Sequence, residues 1–326
     1  MTDKERSIKK DNLINYLKRS WMLYAMLALP MTFFLIFRYV PMTNIVIAFK
    51  DYNIFQGVWS DGSPWVGLKW FEQAFGRRDF WLAMRNTLML NFLDLIIGFP
   101  APIILALILN ELVFKKFKKL TQTIVYLPHF LSWIIVSSIA TRLLAPTNGV
   151  VNIFLAETVS PAMQRMFNDP DIKIGPIDFL MENTKWVATY ITFGVWKEMG
   201  WGTIIYLAAI TGINPELYEA AEVDGAGRWR KLWHITLPGI RATIVVLLIM
   251  NIGRILGIEF DRPYTMANRV VMEVADVIST LVYRVGIRSF QFSLTAAIGL
   301  FQSVICVIFL IAANSLAKKF GERGIW

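Results

Sequence analysis

The sequence predicts an all-α membrane protein that crosses the bilayer six times with both termini in the cytoplasm. Three observations predict it. Of 326 residues, 56% are hydrophobic and only 17% charged, with a mean hydropathy of +0.49. That is too little polar surface to cover a soluble globule of this size. The apolar residues gather into six runs, Leu23–Val40 and roughly residues 86–111, 123–145, 187–211, 239–258 and 291–314. Each can cross about 30 Å of hydrocarbon at about 1.5 Å per residue. Finally, the basic residues cluster in alternate gaps between the runs, and an even number of crossings returns both ends to the more positive, cytoplasmic side.

Residues 1–21 are polar and basic (Lys4, Arg6, Lys9, Lys10, Lys18, Arg19) and read as a cytoplasmic tail ahead of one membrane domain, residues 22–326. A basic stretch before an apolar run also fits a signal peptide. The run is long and has no small-residue cleavage site, so it reads as a retained span, kinked at Pro30. Lys115-Lys116-Lys118-Lys119, the Arg228-Arg230-Lys231-Arg241 group and Lys318-Lys319-Arg323 mark the other cytoplasmic segments. The outer segments are Met42 to Arg85, Ala145 to Trp186 and roughly Glu259 to Phe290. In the first, Phe49-Lys50-Asp51-Tyr52 and Trp65 to Phe71 flank a turn at Asp61-Gly62-Ser63-Pro64. These aromatics read either as interfacial anchors or as a docking surface for an external partner.

The formal net charge of +9 would suit nucleic acid, but in so apolar a chain it belongs beside anionic lipid headgroups and on cytoplasmic loops. Nucleic acid is therefore not expected as a partner. The single cysteine, Cys306, sits in an apolar run, which excludes an intrachain disulfide and a cysteine-based metal cluster. His129 and His234 lie on different segments without metal-ligand spacing. There is no GxxxxGK[ST], and Gly225-Ala226-Gly227 follows no strand, so nucleotide-binding loops are excluded as well. No paired catalytic motif supports an intramembrane enzyme. No inverted repeat supports a standalone secondary transporter.

One polar island interrupts the apolar second half, Tyr218 to Ile240, YEAAEVDGAGRWRKLWHITLPGI. Asn214-Pro215 opens a helix, Asp224-Gly225 breaks it, and a second run, Trp229 to Thr236, is expected to stop at Leu237-Pro238. Glu219-Ala220-Ala221, then Gly225, then Ile235, Leu237 and Pro238 resemble the EAA signature of permease subunits in binding-protein-dependent ABC importers. The resemblance implies the type I importer permease fold. It also implies that residues 212–238 are the coupling loop seated in a cleft of an ATPase subunit, with Glu219, Ala220, Ala221, Asp224, Gly225, Ala226, Leu237 and Pro238 as its coupling residues.

Pro41 with Ile47 to Tyr52, Asn86-Thr87, Tyr126 to Trp133, and Ala297 to Phe301 resemble the carbohydrate-uptake branch, most of all its permeases for polysaccharide-derived and uronate-containing oligosaccharides. The chain is expected to depart from maltose-type permeases in lacking extra amino-terminal helices and a large external domain. The resemblance implies a second permease subunit as heterodimer partner, two ATPase subunits, an extracellular solute-binding protein and an oligosaccharide substrate. No cofactor is expected in this chain, since ATP and Mg would be bound by the ATPase partners.

Charges inside the runs are costly, about 2.5–3.5 kcal/mol each at a helix centre, so each needs a partner or a watery cavity. The candidates, in or at the edge of the runs, are Asp94, Lys197, Glu198, Arg254 and Glu259. Lys197 and Glu198 point about 100° apart on a helix, and either lines the substrate path or joins a structural ion pair. Arg254 is expected mid-span, paired with Asp94 or Glu198 or with an acidic sugar in transit. Trp133, Trp196 and Trp201 lie at similar depth and read either as packing or as faces for the C–H surface of a sugar.

Overall fold

The structure is a computed structural model that describes residues 15, 18–112, 114–171, 174–257, 259–319, 321 and 324–325. Most of the expected basic tail, with Val113, Ile258 and Arg323, lies outside the described residues. The helices are α1 (Trp21–Phe49), α2 (Lys69–Phe75), α3 (Arg78–Glu111), α4 (Lys115–Tyr126) and α5 (Trp133–Leu143). Next come α6 (Val150–Phe154, continuing through a π turn into Ser160–Phe167), α7 (Asn183–Thr211), α8 (Pro215–Val223) and α9 (Arg228–Ile252). The chain ends with α10 (Asp261–Met266), α11 (Met272–Ala275), α12 (Ile278–Val282) and α13 (Phe292–Lys319). The only β pairing among the described residues is the isolated bridge between Lys50 and Trp65.

By length and apolarity, α1, α3, α9 and α13 can each cross a membrane, and α4 with α5 makes a fifth candidate bent by 103°. The run expected at 123–145 is therefore a bent pair of helices. Pro128 contributes no N–H, Leu131 is extended, and the Ser132 hydroxyl caps a new helix by accepting from the Ile135 N–H at 3.4 Å. The expected run at 187–211 lies in α7, whose 29 residues span about 43 Å. Lys197 and Glu198 at its middle make it less apolar than the others.

Prolines do not stop these helices. In four places a π turn ends two residues before a proline: Leu35–Tyr39 before Pro41, Asp94–Gly98 before Pro100, Leu155–Val159 before Pro161, and Leu232–Thr236 before Pro238. In each, the residue just before the proline donates to a carbonyl five residues back, as Leu237 does to Leu232. The wider turn relieves the clash between the proline ring and the preceding turn, so the helix continues. The stop expected at Leu237-Pro238 is thus absent, and α9 runs unbroken from Arg228 to Ile252.

The chain divides into two compact units: residues up to Glu72 with Phe292–Leu300, and Gln73–Gln291 with Phe301 onward. In the first, the two aromatic stretches of the outer segment pair with each other. The Phe49 and Trp65 rings stack at 5.5 Å, Asp51 N donates to Pro64 O at 2.9 Å, and Trp70 Nε1 donates to Lys50 O at 2.9 Å. Helix α1 is largely apolar yet exposed from Trp21 to Ile45, as a lipid-facing helix is, while Ala48 near its end is buried.

In the second unit, α7 packs against α3, α9 and the 3-10 turn Leu127–Phe130. One core cluster joins Leu90, Trp133, Trp186 and Tyr190 to Met266, Val271, Ala275 and Val277. Those last four come from the segment read as an outer loop, which is instead a packed part of the domain. Asn86-Thr87 clamps it. The fully buried Asn86 amide donates to the carbonyls of Glu273 and Asp276, both at 2.9 Å, and the Thr87 hydroxyl accepts from the Ile278 N–H at 3.0 Å.

Candidate functional site

Two regions of the second unit carry chemistry: a cavity of about 550 Å³ and the loop before α9. The cavity is walled by α3 from Asn91 to Pro102, α7 from Gly194 to Tyr206, and the end of α9 with the turn beyond it. Of the sequence candidates it contains Glu198, Trp201 and Arg254. Trp133, Trp196 and Lys197 do not line it.

Asp94 opens the π turn of α3 and pairs with Arg262 of α10, Nη1 to Oδ2 at 2.7 Å and Nη2 to Oδ1 at 3.3 Å. Of the three alternatives for Arg254, a pairing with Asp94 is thereby excluded. The Arg262 guanidinium also donates to Tyr190 O at 2.8 Å and lies 3.7 Å from the centre of the Tyr190 ring. A Cβ at Gly194 would collide with that guanidinium, so α7 has glycine where Arg262 must pass. Arg262 was missed because it falls in a segment read as a loop, where a charge carries no cost.

Lys197 is 6% exposed. Its ammonium bonds to Glu198 Oε1 at 2.7 Å and to His129 O at 3.1 Å, and sits 5.1 Å from the Trp133 ring centre. Lys197 and Glu198 thus pair with each other although they are neighbours in sequence: the long lysine stem curls back to its neighbour's carboxylate. Glu198 lines the cavity, and His129 Nδ1 lies 2.8 Å from its Oε2. The His129 ring stacks on Trp201 at 4.6 Å, and Trp201 is 46% exposed. Trp133 is buried, and its indole N–H donates to Glu259 at 3.1 Å. Trp196 leans on Phe193 at 6.0 Å.

Arg254 is not mid-helix, since α9 ends at Ile252 and a tight turn follows, with Gly257 N donating to Arg254 O at 2.7 Å. Its side chain is exposed to the cavity and has no ion pair or hydrogen bond among the described residues. Every other charge in the lining is paired: Asp94 with Arg262, and Glu198 with Lys197 and His129.

The loop before α9 folds as its residue types dictate. Asn214 caps α8, accepting from Glu216 N at 3.1 Å, with Pro215 in the first turn. At the other end Ala226 N donates to Ala221 O at 2.8 Å and Gly225 N to Glu222 O at 3.0 Å. This is a Schellman cap, whose closing residue must be left-handed. Gly225 has φ +72°. Lys231 Nζ grips Glu222 at 2.6 Å and holds its carboxyl below the ordinary carboxylate range, chiefly through this bond. The Tyr218 hydroxyl meets Thr236 at 3.0 Å. The outer face exposes Glu219, Ala220, Asp224, Leu217, Val223, Trp229 and Trp233. Ala221 and Ala226 are half-buried and Pro238 is exposed. Leu237 packs with Ile240, Ile213, Tyr206 and Ala106, rooting the loop on α3, α7 and α9.

An exposed helix rooted on the domain thus precedes a long helix that ends at a charged cavity. The chain is 45% identical over 318 residues to the polygalacturonan/rhamnogalacturonan transport system permease protein YteP of Bacillus subtilis, covering 98% of this chain and 94% of that one. It is 43% identical to Protein LplB of the same organism, covering 95% and 92%. Among solved structures it resembles a chain of a bacterial ABC transporter involved in the import of the acidic polysaccharide alginate. The TM-score is 0.80 at 39% identity, covering 94% of this chain and 99% of that chain. The same fold recurs at TM-score 0.80 and 38% identity, covering 95% and 99%, in a bacterial alginate ABC transporter in complex with its alginate pentasaccharide-bound periplasmic protein. Residues 85–322 match the family described as binding-protein-dependent transport system inner membrane component, and the chain belongs to that family.

Proposed function

We propose that this chain is one of two permease subunits of an ATP-driven importer of acidic oligosaccharides, lining half of the pathway with the cavity around Arg254. The observation that carries the substrate class is the unpaired Arg254 guanidinium facing a cavity whose other charges are neutralised. A guanidinium holds a carboxylate through two parallel hydrogen bonds. The relatives that transport polygalacturonan and alginate handle sugars of that kind. Trp201 in the same lining, half-exposed with His129 stacked on one face, suits the C–H surface of the sugar ring.

In this reading the protein crosses the membrane six times with residues 112–122 and 212–238 inside. An external binding protein delivers the sugar, and a second permease completes the path. Two ATPase subunits bind ATP and Mg, and their closure presses on α8 through Glu219, Ala220 and Ala221. Because α9 passes Pro238 unbroken, its 25 residues form a rod about 37 Å long. Displacement at Gly225 is then carried to Asn251 and Arg254, switching the cavity between inward- and outward-open states.

The test is uptake by proteoliposomes holding the assembled importer, with an oligogalacturonide and its carboxyl-reduced neutral counterpart offered separately. Arg254→Gln should lower uptake of the acid by about tenfold or more, since hydrogen bonds to charged groups contribute about 1.5–3 kcal/mol. Uptake of the neutral sugar should change little in comparison. An equal fall for both, with poor expression, would make Arg254 structural.

A further inference from the structure

A second recess, about 340 Å³ in volume, lies between α10 and the π turn Tyr283–Arg288, well apart in sequence from the coupling loop. Its lining includes three arginines, Arg269, Arg284 and Arg288, and a single carboxylate, Asp276. Asp276 is buried and fully committed: it takes Arg284 Nη2 at 2.7 Å and Nη1 at 3.0 Å, and the Thr280 hydroxyl at 2.8 Å. That leaves two guanidinium groups without a counter-charge in the lining. Arg288 is held over the Tyr283 ring at 5.2 Å while donating to the Tyr264 hydroxyl at 3.0 Å. Arg269 is exposed and has no ion pair or hydrogen bond among the described residues. Its turn is nevertheless fixed, because Asn268 donates to Leu180 O at 2.7 Å and accepts from Val270 N at 2.9 Å.

The recess also has tyrosines in its lining. Tyr264 and Tyr283 meet at 74°, with centroids 5.4 Å apart, and Phe260 stacks behind Tyr264 at 4.6 Å. Two guanidinium groups without a counter-charge beside an edge-to-face tyrosine pair match a sugar ring bearing a carboxylate: the aromatic surface takes the C–H face and the arginines take the acid. The volume falls at the small end of ligand pockets, sufficient for the end of an oligosaccharide. We infer that this recess is a second uronate-binding site, a reception site for the acidic end of an oligosaccharide outside the cavity. It rests on the acidic-oligosaccharide reading, and in the six-crossing topology it faces outward, where substrate arrives.

The test is binding of radiolabelled digalacturonate to the assembled importer in phosphatidylcholine nanodiscs without its binding protein. Arg254→Gln should leave a class of digalacturonate sites intact. In that background Arg269→Gln should weaken them by roughly fivefold or more, and Arg269→Gln with Arg288→Gln should remove them. The carboxyl-reduced disaccharide should not compete. Because Arg269 is exposed and unbonded, its single substitution cannot act by unfolding the domain. Complete loss of binding with Arg254→Gln alone would overturn the second site while sustaining the acidic-sugar reading of the cavity. Equal binding of both disaccharides, unmoved by any of these substitutions, would overturn both. Loss of digalacturonate binding in nanodiscs rich in phosphatidylglycerol would assign the recess to lipid headgroups and overturn the sugar site.

Discussion

Gly225 gives the sharpest prediction because its environment separates backbone from side-chain effects. Its φ of +72° is required by the cap that ends α8, and a Cβ built there meets nothing within 4 Å. Gly225→Ala therefore brings no clash, only the cost of a left-handed L-residue, about 1–2 kcal/mol. At about 1.4 kcal/mol per factor of ten, this weakens the capped form roughly five- to thirtyfold. Gly225→Asn should cost less, because asparagine tolerates the left-handed region. Gly225→Pro cannot adopt this φ and also deletes the N–H bonded to Glu222 O, so the cap is lost outright. The assay is ATP-driven uptake by the reconstituted importer, alongside the amount of chain inserted in the membrane. Uptake should fall in the order glycine, asparagine, alanine, proline at constant insertion. Equal uptake by Gly225→Pro and wild type would refute the reasoning.

Asp94→Asn leaves the Arg262 charge half-satisfied and should destabilise the purified complex by about 3 kcal/mol, read as a lowered melting temperature. The Asp94→Leu, Arg262→Met pair should cost less than the sum of its two halves, and simple additivity would exclude the ion pair as the cause. Gly194→Ala places a methyl on the Arg262 guanidinium and should cost little more when added to Asp94→Asn, since both break the same pair; full additivity would contradict this. For topology, cysteines placed at the exposed Asp61 and Lys116 in a Cys306→Ser background should differ in intact cells. An impermeant thiol reagent should label position 61 and spare position 116, and the reverse would overturn the proposed sidedness. Ser63 is unsuitable for this purpose because it is buried and bonded to Gly57 O at 2.8 Å.

The helical class, the runs that became α1, α3, α9 and α13, and the cap logic at Asn214-Pro215 and Gly225 were legible because they rest on local chemistry. What the sequence hid depends on closure in three dimensions. Proline signals were over-read: Pro238 looked like a stop, yet a π turn two residues before it absorbs the missing N–H. Pro128 and Ser132, whose break and cap signals were present, went unread inside an apolar run. In the cavity, Arg254 was visible as an anomalous charge, whereas Arg262 was not, because residues 259–290 read as loop. Hydropathy could not show that Met266, Val271 and Ala275 fold back onto Trp186 and Tyr190. The spacing of Lys197 and Glu198 suggested divergent directions, but a flexible lysine stem closes that angle.

In the proposed mechanism, force from ATP hydrolysis enters at α8 and leaves at the Arg254 cavity. The most direct measurement of this is sugar-stimulated ATP hydrolysis, together with uptake, by the importer purified through a tag on this chain. Wild type should carry stoichiometric ATPase subunits whose hydrolysis rises with oligogalacturonide and binding protein. Glu219→Lys should abolish that stimulation and uptake while leaving the chain inserted. Uptake by this chain without ATPase partners, or undiminished stimulation in Glu219→Lys, would contradict the account.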